Sequence, residues 1–152
     1  MEQEKILIGR FYQEFWVFFG LLIACVIGIV FFLVFYITKL KKFDYRIKIV
    51  YPILLGVIIA ITVVVGITFS NYYKDHIYLK HNNPIKIKGE VIGFSQTTNN
   101  DFIDHNSWPI ILINGTSDKI SLGVYKSNER VVIGQEYTFI YLPNTKNAEL
   151  LI

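Results

Sequence analysis

The sequence predicts a membrane α plus all-β protein, in which a two-helix transmembrane hairpin precedes a small β domain. Three observations carry that expectation. Phe15 to Thr38 contains no charged residue and is long enough, as a helix, to cross the ~30 Å hydrocarbon core of a bilayer. Ile49 to Tyr73 is a second uncharged stretch, reached after a short basic link. From Pro84 onward the apolar residues recur with a period of two, as they do in strands that turn one face to a core.

Length and composition bound the rest. Once two spans and their flanks are set aside, the 152 residues leave roughly 70 for a soluble domain, enough for one small folding unit. The hydrophobic share of 53% is concentrated in the spans. The formal net charge of +3 lies mostly in the link between them, so it reads as a topology signal or an attraction to anionic lipid. Nucleic acid is therefore not an expected partner. The only cysteine, Cys25, lies mid-span and reads as a small packing residue; an intramolecular disulfide is excluded.

Residues 1–14 mix Glu2, Glu4, Lys5, Arg10 and Glu14 with Ile6, Leu7, Ile8, Phe11 and Tyr12, the pattern of an interfacial tail that lies as a turn of helix leading into the span. A basic leader region is missing and the apolar run is too long for a signal peptide, so residues 15–38 are expected to remain as transmembrane helix 1. Phe15 and Trp16 at one end, with Phe35 and Tyr36 at the other, suit the two headgroup levels. Gly20, Ala24 and Gly28 recur every four residues on one helical stripe, and Gly56 and Ala60 repeat the spacing in the second span. Small residues let backbones approach. The favoured expectation is packing of the two spans against each other; the other is self-association into a homo-oligomer. Neither span carries an acidic, basic or histidine side chain, which argues against a transporter or channel. Pro52 is expected in the first turn of transmembrane helix 2, residues 49–73, where a missing N–H is harmless.

The link, residues 39–48, holds Lys39, Lys41, Lys42, Arg46 and Lys48 against Asp44 alone, which favours a cytoplasmic link with the N-terminus and the C-terminal domain outside; the reverse orientation is the competing expectation. Residues 74–83 form a juxtamembrane linker. Its histidines, His76 and His81, are five apart, off the same-face spacing, and have no cysteine or acidic cluster beside them, so no metal site is expected.

Residues 84–152 are expected to form a five-stranded barrel-like module in the OB or SH3-like style. Its strands run from Ile85 through Ile92, broken at Gly89, then Trp108 to Ile113, Ile120 to Tyr125, Tyr137 to Leu142 and Ala148 to Ile152. The long polar stretch from Ser95 to Ser107 carries Asp101, Asp104 and His105, an acidic group whose spacing does not match a calcium loop. Solvated charge explains it more simply. With Phe102 and Trp108 as aromatic anchors beside Asp101 and Asp104, the same stretch is the candidate partner-contact surface. Asn114-Gly115-Thr116 fits a glycosylation sequon, but Asn-Gly between apolar strands also fits a tight hairpin.

Tyr72-Tyr73-Lys74-Asp75, Ile87-Lys88-Gly89-Glu90-Val91, Gly134-Gln135-Glu136-Tyr137 and Tyr141-Leu142-Pro143-Asn144-Thr145-Lys146 give the chain a resemblance to a group of small bacterial membrane proteins in which one or two spans precede a small β domain. It is also similar to membrane proteins of the DUF3592 type, whose last strands follow a comparable Tyr-x-Pro turn. The resemblance implies this architecture and a bacterial plasma membrane, and carries over no functional residue.

Two functions follow as expectations. The first is a non-enzymatic, membrane-anchored interaction or accessory protein, such as a self-protection or envelope factor, with the lipid bilayer and an unidentified protein as partners and no cofactor. The alternative is a membrane-tethered envelope enzyme using Asp101, Asp104 and His105, although no nucleophile stands in a recognisable catalytic context.

Overall fold

The computed structural model describes residues 2–39, 45–94, 109–124 and 131–151. Two long helices are followed by a six-stranded mixed sheet, in the order α1 (Glu2–Lys39), α2 (Tyr45–Leu79), β1 (Ile85–Phe94), β2 (Pro109–Ile113), β3 (Lys119–Ser121), β4 (Gly123–Val124), β5 (Glu136–Tyr141) and β6 (Asn147–Leu151). The chain divides into two compact units. One comprises residues 13–73; the other joins residues 1–12 to residues 74–152.

In the first unit both helices are long and apolar enough to cross a membrane. At about 1.5 Å per residue the 38 residues of α1 reach ~57 Å, well beyond a hydrocarbon core. Large apolar side chains lie exposed from Trp16 to Ile37 on α1 and from Val50 to Ile67 on α2, as a lipid-facing surface requires. The seam between the helices is aromatic. Phe15 and Phe19 meet Phe69, with ring centroids 5.3 and 5.8 Å apart, and Phe18 meets Tyr72 at 4.9 Å. At the opposite end Phe32, Phe35 and Tyr36 surround Tyr51. Two hydroxyls on α2 donate across the seam, Tyr51 to the Phe32 carbonyl at 2.5 Å and Tyr72 to Glu14 Oε2 at 2.7 Å.

The small-residue stripe is not this seam. A Cβ added at Gly20, Gly28 or Gly56 would meet no atom within 4 Å, and Ala24 and Ala60 are exposed. Rings of this size hold the backbones apart, so close approach at glycine is not what joins these two helices. Ala24→Leu and Gly28→Leu are accordingly expected to leave thermal stability in detergent within about 0.5 kcal/mol of wild type, whereas Phe69→Ala costs about 1–2 kcal/mol of aromatic contact. A fall in oligomer mass in the leucine variants alone would assign the stripe to contacts between copies. Pro52 lies inside α2, not in its first turn, because the helix begins before the uncharged stretch does.

The sheet of the second unit is ordered β3-β2-β1-β5-β6-β4. All neighbouring pairs are antiparallel except β4 with β6, which is parallel. Where five strands in a barrel were expected, six lie in a sheet that is open in its hydrogen-bond order. The difference arises at Leu122, where the expected third strand divides into β3 and β4. Gly89 does not break β1. It is buried within the continuous strand, where a Cβ would collide with the Leu112 carbonyl and the Ile111 side chain, so glycine is what lets β2 come this close. A register shift between Val91 and Gly93 bends β1 farther on.

One face of the sheet gathers Val91, Ile111, Leu122, Val124, Phe139, Tyr141, Ala148 and Leu150 into the core. On the other face Ile140 stands opposite Glu149, and both are buried. The first turns of α1 cover that region. Leu7, Arg10 and Phe11 share one helix face at i, i+3 and i+4; Arg10 reaches Glu149, and Leu7 and Phe11 are fully buried. The N-terminal stretch read as an interfacial turn of helix is helical from Glu2, and its Leu7 and Phe11 are buried.

Candidate functional site

The polar groups with the least solvent and the most partners in the second unit lie where helix ends meet the sheet. Asp75, in the last turns of α2, is fully buried. Its Oδ1 accepts from the backbone N–H of Asn144 at 3.0 Å and from Asn144 Nδ2 at 2.7 Å. Its Oδ2 accepts from the backbone N–H and the hydroxyl of Thr145, both at 2.7 Å. Four donors therefore converge on one carboxyl group and satisfy both of its oxygens out of water.

The turn so held needs the help. It joins β5 to β6, closed by Leu142 N–H donating to the Asn147 carbonyl at 2.9 Å and Lys146 N–H to the Leu142 carbonyl at 3.0 Å. Lys146 adopts a left-handed φ of 62°, uncommon for a residue with a side chain, and its ammonium lies 5.6 Å from the Tyr141 ring centre. Burial, followed by the nearby Tyr78 phenol, raises the Tyr141 hydroxyl above its ordinary value.

A second tie lies on the other face, where Arg10 donates to Glu149 Oε1 at 2.8 Å. The Glu149 side chain is 8% exposed and that of Arg10 is 39% exposed. Desolvation raises the Glu149 carboxyl above 4.5, and Arg10 opposes that rise without cancelling it. The folded state thus binds more protons than the unfolded one just above pH 4.5, and stability falls as pH rises through that window. Arg10→Ala removes the opposing charge and should steepen the fall. The expected loss is small at about pH 4.5 and grows to about 1–2 kcal/mol at neutral pH, discounted for the partial exposure of Arg10; melting temperatures of both proteins across the range check it.

At the sheet surface Lys88 Nζ lies 3.0 Å from Glu136 Oε2, and Asn114 Nδ2 donates to Glu136 Oε1 at 3.1 Å. Those two hydrogen bonds, Lys88 first, and then the charge of Lys88 hold the exposed Glu136 carboxyl below its usual range. His76 packs edge-on against Tyr12, with ring centres 5.8 Å apart, while His81 is exposed. Among the described residues no group of three or more histidine, cysteine or acidic side chains is placed to hold a metal.

Asp101, Phe102, Asp104, His105 and Trp108 lie outside the described residues. The sequence reading assigns no role to Asp75, Asn144, Thr145, Arg10 or Glu149, although the first three lie in the segments that carry the resemblance. The i, i+4 spacing of the buried Leu7 and Phe11 around Arg10 was the signal available for the α1 contact; Asp75 offered none, because its partners lie 69 and 70 residues away. Comparisons of the chain with protein-family models, with curated proteins and with solved structures find no match.

Proposed function

We propose that this protein is a non-enzymatic interaction or accessory module of the bacterial plasma membrane, anchored by two spans and presenting a small β domain outside the cell. The observation that carries the reading is the construction of the sheet unit: residues 1–12 and 74–79 of the two apolar helices are packed into it through the Arg10 and Asp75 ties. A domain built on its own anchor suits presentation at a membrane surface. The basic link and the resemblance to small bacterial membrane proteins support the orientation and the compartment.

The same reading includes a barrel-like closure of the sheet in the OB style. In support, β3 and β4 are separated by Leu122 alone, which is fully buried. Consecutive amides turn to opposite sheet edges, Leu122 N–H donating to Pro109 at 3.1 Å and Gly123 N–H to Lys146 at 2.9 Å. One strand bent at Leu122 would join the two edges of the sheet and remove the hazard that open edges carry.

Affinity capture from detergent-solubilised membranes tests the function. The intact chain is expected to retain a defined partner that a chain ending at Asn83 loses, and Phe102→Ala with Trp108→Ala should weaken the capture while the domain stays folded. Recovery of the same proteins by both chain lengths would sink the proposal. For orientation, a cysteine placed at Ser117, an exposed turn residue, should react with an impermeant thiol reagent on intact cells, and one at Leu40 should not.

A further inference from the structure

The turn between β2 and β3 contains the single Asn-Gly pair of the chain; every other asparagine precedes proline or a residue with a side chain. Asn114 lies in the turn of the β2–β3 hairpin, with Ile113 N–H donating to the Asp118 carbonyl and Thr116 N–H to the Ile113 carbonyl, each at 3.1 Å. Gly115 takes a φ of 83° and Asn114 does not, the pattern of a type II turn. Asn114, Gly115, Thr116 and Ser117 are all exposed.

Three features of this turn bear on the chemistry of the Asn114 carboxamide. The next residue has no side chain to hinder approach of its backbone nitrogen. The Asn114 N–H is held by the Lys88 carbonyl at 3.1 Å, whereas among the described residues no backbone hydrogen bond takes up the Gly115 N–H. The carboxamide nitrogen donates to Glu136 Oε1 at 3.1 Å, so the exposed side chain is retained on the protein surface.

We infer that Asn114 is a site of spontaneous, water-dependent conversion of asparagine to aspartate and isoaspartate. The Gly115 nitrogen attacks Asn114 Cγ, and the Cγ–Nδ2 bond breaks. The amide proton of Gly115 leaves with the departing nitrogen as ammonia, and a five-membered succinimide remains. Water then opens the ring at either carbonyl. One opening yields aspartate and the other yields isoaspartate, in which the main chain runs through the side-chain carbon. No oxidant or reductant takes part. Either product places a second carboxylate beside Glu136, where it competes for Lys88, and isoaspartate also adds a methylene to the main chain of the turn. The change is irreversible and adds one negative charge to the surface of the sheet unit.

The test uses the intact protein reconstituted in vesicles of neutral phospholipid, incubated at mildly alkaline pH and digested at acidic pH, where ring closure stops. The expected result is loss of one side-chain amide per chain, confined to the peptide that carries Asn114, with aspartyl and isoaspartyl forms separated chromatographically. Asn114→Gln, whose amide would have to close a slower six-membered ring, should keep the amide and the melting temperature. A synthetic peptide of residues 110–120 gives the unrestrained rate. Conversion of that peptide with none in the folded protein would overturn the inference, since the turn and the Glu136 contact would then hold Cγ away from the Gly115 nitrogen. Loss of amide at other asparagines first would overturn it equally.

Discussion

Asp75→Ala is expected to unfold the sheet unit while both spans stay inserted. The substitution strips the acceptor from four donors at once, two of them backbone N–H groups of a half-buried turn. Each buried donor left without an acceptor costs about 1–3 kcal/mol, so the loss of a shared acceptor reaches several kcal/mol. A module of this size has only on the order of 3–5 kcal/mol to lose. Asp75→Asn, which keeps one acceptor oxygen and turns an NH2 group toward donors, should fall between the two. Protease resistance of residues 84–152 in membranes, with span insertion followed separately, gives the readout. Wild-type resistance in Asp75→Ala would show that the turn stands without α2.

Removal of Leu150 to Ile152 is expected to have an effect of similar size. Leu150 is 3% exposed and belongs to the core, and it pairs with Phe139 while Leu151 pairs with Thr138. Two aliphatic side chains taken from the core and its margin account for roughly 3–6 kcal/mol at 1.5–3 kcal/mol each, before the lost strand pairing is added. The shortened protein should lose its cooperative melting transition. Equal protease resistance in the shortened and intact proteins would mark these residues as dispensable to the sheet.

The elements legible in the sequence were those fixed by local periodicity. An uncharged run of span length admits few alternatives in water, and Tyr137 to Leu142 alternates clearly enough to be read as β5. The division at Leu122 was not legible, because which edge a backbone amide turns to is decided by strands distant in the chain. Gly89 misled for a related reason: a glycine that ends a strand and one that admits a close neighbour look alike until the neighbour is known. Gly20, Ala24 and Gly28 showed where a backbone has room to approach, but the aromatic rings at Phe15, Phe18 and Phe32 set the seam. The Asp75 clamp was invisible, since an aspartate after a span reads as ordinary headgroup-level polarity.

The Arg10 and Asp75 ties also constrain biogenesis. The β5–β6 turn is synthesised about 70 residues after the carboxylate that holds it, and Glu149 is made 139 residues after the arginine it meets. Both ties can therefore close only in a chain whose α1 start and α2 end already lie beside the sheet. A chain in which either helix end is displaced leaves Glu149 without its arginine or the β5–β6 turn without its acceptor. Completion of the sheet is thus tied to the placement of two helix ends made long before its last strand.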